Sequence, residues 1–93
     1  MKTVRVAIEG RVQGVAYRAW TQRQAQELGL AGWVRNRREG WVEALFSGGE
    51  GAVDGMLAAC ANGPAAARVS AVRILGEGEP APADPVFRVR PSK

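Results

Sequence analysis

The 93-residue sequence contains no histidine and one cysteine, Cys60. Without histidine the chain has no Ser-His-Asp triad, no imidazole general base and no phosphohistidine. A single thiol can form neither a thiolate metal site nor an internal disulfide bond, which fits a reducing compartment. The chemistry open to this chain therefore depends on carboxylates, arginine, lysine, amides, hydroxyls and the backbone.

Long apolar runs are also missing. Residues 1–5 lack the unbroken apolar stretch of a signal peptide, and no segment approaches the length of a membrane span. We therefore expect a cytoplasmic protein with no membrane partner. A chain of 93 residues, 46% hydrophobic and 24% charged, has the size and composition of one domain, so residues 1–93 are predicted to form a single domain.

Acidic residues are scarce, with 9 Asp and Glu against 13 Lys and Arg. The formal net charge of +4 favours an anionic partner. Only Lys2 and Lys93 are lysine, so nearly all the cations are arginine. Several of these arginines flank two glycine-containing turns, in segments whose only acid is Glu39: Arg11, Arg18, Arg35, Arg37 and Arg38.

Hydrophobic periodicity predicts two helices and five strands. The strands are predicted at 4–9, 31–36, 41–47, 69–75 and 86–90, the fourth with a bulge and the last with Phe87 and Val89 facing inward. The helices are predicted at 16–28 and 50–61. Gly29 is predicted to end the first helix as a capping glycine.

The order of these elements predicts an α+β fold, a ferredoxin-like βαββαβ sandwich. Its sheet is expected to be mostly antiparallel, with four or five strands and both helices on one face. A right-handed crossover makes the first two strands parallel, and the third strand then fits between them. The loop at 11–14 and the turn at 36–40 are therefore expected on the same edge of the sheet.

The first helix carries charges that oppose its dipole. Arg18 lies in its first turn and Glu27 in its last, the reverse of the favourable arrangement. A bound anion between Arg18 and the free N–H groups at this terminus would explain the pattern. A solvent-exposed arginine after a tight loop would explain it too. The Gly10-x-x-x-Gly14 spacing matches neither the Walker loop nor the dinucleotide fingerprint.

Asn36 is placed on the same edge and has two interpretations. It could begin a turn, with its side chain bonded to the backbone two residues on. It could also hold a water beside the bound anion. Trp33 and Trp41 are interpreted as sheet packing, and Glu39 and Glu43 as solvated charges.

Two segments resemble the signatures of the acylphosphatase family. Residues 10–18, GRVQGVAYR, resemble the first signature, and residues 32–43, GWVRNRREGWVE, resemble the second. The resemblance covers nearly the whole chain. It implies a small stand-alone acylphosphatase, an enzyme that hydrolyses the carboxyl-phosphate bond of acyl phosphates to a carboxylate and inorganic phosphate.

The resemblance also implies residue roles. Arg18 and Asn36 are the catalytic residues, the first binding the phosphoryl group and the second positioning the attacking water. The phosphate cradle is implied to consist of backbone amides: Val12, Gln13, Gly14, Val15, Ala16, Tyr17 and Arg18. Tyr17 stands where Phe is commoner, and Arg37 follows Asn36 where many relatives have a small hydroxyl residue. The second departure bears on rate and substrate preference rather than on the reaction.

The residue types agree with this reaction. An acyl phosphate expels a carboxylate whose conjugate acid has a pKa near ~4, so the leaving group needs no general acid. One arginine fork, a row of amides and one aligned water can stabilise phosphoryl transfer without a metal or cofactor. We therefore expect no metal site and no cofactor, competition by inorganic phosphate or sulfate, and a monomer.

Two other functions fit the element order. An RNA-binding domain is favoured by the basic charge and by the aromatic strand at 38–46, but residues 4–9 offer no second aromatic and Glu43 would face the phosphates. We therefore expect no nucleic-acid partner. A regulatory or carbamoyl-phosphate-handling module of a larger maturation protein would keep the fold and the phosphate site. A chain ending at Lys93 is expected to lack that larger architecture.

Overall fold

The computed structural model describes all 93 residues. The elements are β1 (Lys2–Arg11), α1 (Tyr17–Glu27), β2 (Ala31–Asn36), β3 (Val42–Gly48), α2 (Glu50–Asn62), β4 (Arg68–Glu77) and β5 (Phe87–Val89). All the predicted elements are present. β1 and β4 are longer at both ends than predicted, and β5 is shorter. Neither helix is long and apolar enough to cross a membrane.

The five strands form one sheet in the order β4-β1-β3-β2-β5. β3 pairs antiparallel with both β1 and β2, which confirms its predicted place between them. β5 runs parallel to β2, so the sheet is mixed rather than wholly antiparallel. The ferredoxin-like prediction is confirmed, and the loop after β1 and the turn after β2 leave the same edge.

The pairing of β1 with β4 contains two register shifts, between Arg5 and Val6 and between Glu9 and Gly10. The irregularity expected in the fourth strand is therefore present. At the second shift Gly10 has φ 121°, and an added Cβ would lie 2.1 Å from the Arg68 carbonyl oxygen. Only glycine fits this close approach, at the point where β1 leads into the following loop.

The core lies between the sheet and the two helices. Val4, Val6 and Ile8 alternate onto the helix side of β1 and are fully buried. They meet the apolar stripe of α2, formed by Val53, Met56 and Cys60, and the inner face of α1, formed by Tyr17, Thr21 and Ala25. Each fully buried apolar side chain of this size contributes roughly 1.5 to 3 kcal/mol to folding. This packing fixes the N-terminus of α1 against the edge where β1 and β2 end.

Tyr17 connects the two helices. Its hydroxyl donates a hydrogen bond of 2.8 Å to the Cys60 carbonyl, and its ring is 1% exposed. Burial raises the pKa of the Tyr17 hydroxyl well above its usual value, with a smaller effect from Cys60. Burial likewise raises the pKa of the Cys60 thiol to about 12. Neither group can serve as an acid or base near neutral pH.

The other face of the sheet carries a buried carboxylate. Glu43 on β3 is 3% exposed, so its interpretation as a solvated charge is wrong. Its oxygens accept hydrogen bonds from Arg35 at 2.7 Å, Arg5 at 3.0 Å and Arg37 at 3.2 Å. Alternation does place Glu43 away from the helices, but these long side chains from neighbouring positions cover it.

Trp33 and Trp41 lie on this face of the sheet, and arginine side chains cover both rings. The guanidinium carbons of Arg35 and Arg90 lie 4.7 and 5.0 Å from the Trp33 ring centroid. That of Arg37 lies 5.2 Å from the Trp41 ring. Such cation–π contacts occupy the ring faces that an RNA-binding sheet would offer to bases.

Candidate active site

A cavity of about 310 Å³ opens at the N-terminus of α1. It is formed by the loop after β1, the first turns of α1, the end of β2 and the end of β5. Its lining residues are Val12, Gln13, Gly14, Ala16, Tyr17, Arg18, Ala19, Gln22, Asn36 and Val89. The cavity therefore brings together segments that are up to 77 positions apart, from Val12 to Val89.

The loop that enters α1 has an unusual backbone. Gly14 has φ 74° and Ala16, the N-cap of α1, has φ 60° with ψ 29°. Ala16 is the only residue other than glycine with positive φ. Holding such a residue in the left-handed region costs of order 1 to 3 kcal/mol, and strain of this kind is concentrated at functional sites.

The amides of this loop are free. None of the N–H groups from Val12 to Ala16 donates a hydrogen bond within the protein. The N–H groups in the first turn of a helix also lack intrahelical acceptors. Successive free N–H groups in a loop of this kind form a concave nest with a positive potential, and such nests bind anions.

Arg18 lies in the first turn of α1 and is half-buried at the cavity. It is absent from every ion pair and every side-chain hydrogen bond of the protein. The first turn of α1 contains no acid and the last contains no base. A free guanidinium, free amides and the positive end of the helix dipole therefore meet at one place.

Asn36 is the last residue of β2. It lies two positions after Val34, which is fully buried beneath the helices, so both side chains are on the same face of the sheet. Its carbonyl accepts a hydrogen bond of 3.0 Å from the Lys93 amide, so the C-terminal residues hold its backbone. Its side chain makes no hydrogen bond within the protein, which argues against the turn interpretation.

The Gln13 side chain connects the two halves of the site. Its Nε2 donates to the Arg37 carbonyl at 2.7 Å and to the Trp41 carbonyl at 3.0 Å. These bonds hold the loop after β1 against the turn that follows Asn36. The sequence indicated only the backbone amide of Gln13, because nothing in its spacing shows where its side chain points.

Arg37 points away from the cavity. Its guanidinium contacts Glu43 and lies over Trp41, on the face of the sheet opposite the helices. Arg37 follows Asn36 directly, and its contact with Glu43 places its side chain on the face of the sheet opposite that of Asn36. The unusual side chain beside Asn36 is therefore not part of the cavity wall.

The predicted cradle residues lie around the cavity with one exception. Val15 packs against the core instead of lining the cavity. Tyr17 has a buried side chain, so it offers only its backbone and ring edge. Three lining residues were not predicted: Ala19, Gln22 and Val89. Val89 lies on the same face of β5 as the buried Phe87, as predicted, but it is not part of the core, since it is 40% exposed and lines the cavity.

A second cavity of about 340 Å³ lies near the other end of the same turn. Glu9, Gly10, Glu39, Gly40 and Trp41 line it. With two carboxylates and no basic side chain, its lining does not suit an anion. No three His, Cys, Asp or Glu side chains come together in a way that could hold a metal ion.

Comparison with known proteins identifies the family. The acylphosphatase family model matches residues 4–88. The chain belongs to the acylphosphatase family. An acylphosphatase of Rhodospirillum rubrum is 55% identical over 92 residues, which cover 99% of each chain. The enzymes of this family hydrolyse acyl phosphates, so the predicted family and enzyme class are confirmed.

Solved acylphosphatases have the same fold. The crystal structure of the Bacillus subtilis acylphosphatase superimposes with a TM-score of 0.91 at 34% identity, covering 97% of this chain and 99% of that one. A Coxiella burnetii acylphosphatase gives a TM-score of 0.88 at 34% identity, covering 96% and 92%. The resemblance therefore extends from the two signatures to the whole arrangement of helices and strands.

Proposed function

We propose that this acylphosphatase binds the phosphoryl group of its substrate with Arg18 and the amides of residues 12–18, and that Asn36 positions the attacking water. One observation carries the proposal. The side chains of Arg18 and Asn36 and the amides of Val12, Gln13, Gly14 and Ala16 border one cavity, and none of these groups has a partner within the protein. Polar groups near the protein surface that are left unpaired around a cavity are suited to a ligand.

The cradle supplies charge stabilisation. The N–H groups and the Arg18 fork point at equatorial phosphoryl oxygens, where negative charge is greatest during transfer. Because the loop is held by Gly14, Ala16 and the Gln13 hydrogen bonds, these donors need little reorganisation during the reaction.

The water has a separate binding group. The Asn36 amide oxygen can accept a hydrogen bond from a water and orient a lone pair toward phosphorus. Since Lys93 fixes the Asn36 backbone and Gln13 fixes the next turn, the water is held relative to the cradle.

The lining explains why the substrate is an acyl phosphate. It contains no carboxylate, thiol, lysine or histidine, and the only hydroxyl, that of Tyr17, is buried and bonded to Cys60. No group is thus available to protonate a leaving oxygen. A carboxylate leaves without protonation, whereas an alkoxide does not.

The same proposal includes a metal-independent enzyme that works as a monomer in the cytoplasm, with residues 1–93 as one domain. The cavity is built from a single chain, which supports activity without a second copy. The unpaired and buried Cys60 supports a reducing compartment.

The test is phosphate release from acetyl phosphate and from glycerol phosphate, each with and without EDTA. We expect turnover of acetyl phosphate only, at the same rate with the chelator. Inorganic phosphate and sulfate should inhibit competitively and raise the melting temperature, since they bind the folded protein. Inactivation by EDTA with recovery on adding Mg²⁺, or equal turnover of glycerol phosphate, would contradict the mechanism.

A further inference from the structure

The cavity extends beyond the groups that bind phosphate. At about 310 Å³ it falls in the range of small-molecule sites, about 300 to 1,000 Å³, and exceeds what a single phosphoryl group needs. The loop amides, Arg18 and Asn36 form one part of it. Ala19, Gln22 and Val89 form the other.

We propose that Val89, together with Ala19 and Gln22, forms the subsite for the acyl group and favours apolar, uncharged acyl groups. This inference rests on the proposed function, because it assumes that the phosphoryl group occupies the cradle. Val89, Ala19 and Gln22 are together called the acyl subsite.

Val89 is placed at the acyl subsite by strand pairing. β5 pairs with β2 so that Val89 is the partner of Val34, and Asn36 lies two residues beyond Val34 on the same face. Val89 therefore lies beside the end of β2, close to the proposed water-binding group. Across the cavity, Gln22 lies one turn of α1 after Arg18, and its Nε2 donates to the Phe87 carbonyl at 3.2 Å.

The exposure of Val89 indicates that a ligand can cover it. Phe87, two residues earlier and on the same face, is 1% exposed, whereas Val89 is 40% exposed. Val89 lines the cavity and Phe87 does not, so the exposed methyl groups of Val89 are assigned to the cavity wall. An apolar acyl group that covered them would remove apolar surface from water, which favours binding.

The charges around the acyl subsite disfavour an anionic acyl group. Arg18 is the only charged residue that lines the cavity, and its guanidinium is assigned to the phosphoryl group. A second carboxylate on the acyl chain would lose hydration beside Val89 and Ala19 without gaining a cation. The selectivity thus comes from one apolar wall and from the absence of a second cation.

The test compares kcat/KM for benzoyl phosphate, acetyl phosphate and succinyl phosphate, which carry an aromatic, a minimal and an anionic acyl group. The wild-type protein should prefer benzoyl phosphate and should turn over succinyl phosphate least. Val89→Asp should lower the benzoyl-to-acetyl ratio roughly tenfold, within the range for changes to an apolar pocket. Val89→Arg should raise the succinyl-to-benzoyl ratio by a similar factor.

Val86→Asp is the matched control. Val86 is also an exposed valine, 49% accessible, but it lies just before β5 and outside the cavity. Its substitution should leave all three ratios unchanged. The inhibition constant of inorganic phosphate should stay within about twofold in Val89→Ala, which adds no charge, because phosphate fills only the cradle.

Two results separate the inference from the proposed function. If the wild-type protein hydrolyses no acyl phosphate, the proposed function is wrong. If it hydrolyses all three, but Val89→Asp keeps the wild-type ratios or lowers all three rates equally, the acyl subsite is wrong and the proposed function stands. Val89→Ala, which only shortens the side chain, provides the same comparison of ratios if the Asp variant does not fold.

Discussion

Arginine has opposite environments on the two faces of the sheet. At the cavity Arg18 is half-buried and has no partner. On the opposite face Arg5, Arg35 and Arg37 converge on the buried carboxylate of Glu43. Both regions are rich in arginine in the sequence, yet only the first has an unneutralised guanidinium beside free amides. Partners, and not residue type, distinguish an arginine available to a substrate from one used for structure.

The Glu43 cluster, defined as Glu43 with Arg5, Arg35 and Arg37, joins three adjacent strands and the turn after Asn36. Burial by itself raises the pKa of the Glu43 carboxyl, but the hydrogen bonds and charges of Arg35, Arg5 and Arg37 outweigh it, so the pKa lies below its usual value. The carboxylate is therefore charged at neutral pH. Removing it would leave three guanidinium groups close together without their shared counter-ion.

Arg18 and Arg35, one arginine from each region, are each replaced by alanine. The largest expected effect on activity is that of Arg18→Ala. Arg18→Ala should lower kcat/KM by roughly 10³-fold or more and weaken phosphate inhibition, because a charged fork to the phosphoryl group is lost. Lysine at this position should restore little, since it lacks the fork. Activity assays and thermal unfolding of both variants provide the measurement.

Arg35→Ala is the matched control from the Glu43 cluster. It should keep its activity and lose about 1 to 2 kcal/mol of unfolding free energy, because Arg35 makes the shortest contact with Glu43, at 2.7 Å. Arg18→Ala should lose almost no stability. If Arg18→Ala and Arg35→Ala lost activity and unfolding free energy in the same proportion, the proposed difference between the two arginines would be contradicted.

The next effect in size separates the two proposed catalytic residues. Asn36→Ala should lower kcat by roughly 10²- to 10³-fold, as expected when one preorganised polar contact is lost. The inhibition constant of inorganic phosphate should stay close to that of the wild-type protein, because Asn36 contacts the water and not the phosphoryl group. Kinetics with phosphate as inhibitor, and circular dichroism as a folding control, test this. An Asn36→Ala protein that is fully active, or that loses phosphate affinity as Arg18→Ala does, contradicts the role.

The smallest effect on activity, and the largest on stability, is expected at Glu43. Glu43→Gln should lower the free energy of unfolding by about 2 to 3 kcal/mol, somewhat less than for a fully buried pair because the arginines can turn toward water. Glu39→Gln is the control, since the Glu39 side chain is 62% exposed and its contact with Arg37 is 3.6 Å long. Urea unfolding at neutral pH compares the two.

The pH dependence at Glu43 follows from the lowered pKa. A group whose folded pKa lies below its unfolded pKa adds stability above the unfolded value, near 4.5, and this stability is lost as the pH falls through the folded value. The wild-type protein should therefore lose stability below about pH 4.5 more steeply than Glu43→Gln. Parallel acid-unfolding curves for the two proteins would show that Glu43 does not contribute in this way.

Much of the fold could be predicted because its signals are local. Alternation in β1 and β3, helical spacing in α1 and α2, and the handedness of crossovers lead to the order of the first four strands, β4-β1-β3-β2. The place of β5 beside β2 was not predicted. The strand ends were less well predicted, since the length of β1 and β4 depends on their pairing with each other. Glu43 was misread because its covering side chains come from Arg5 and from β2, and no periodicity shows that they converge.

The sequence by itself determined the family, the fold and the two signature segments, because local periodicity, capping residues and motif spacing are written along the chain. The tertiary structure alone decided that Arg18 is left without a partner at the cavity, where the Gln13 side chain attaches, and that Val89 borders the cavity. Those properties depend on distances between groups that lie tens of residues apart, such as Gln13 and Trp41 or Arg5 and Glu43. Burial and pairing arise only when strands and helices pack, and so they follow from the fold and not from the pattern of any one segment.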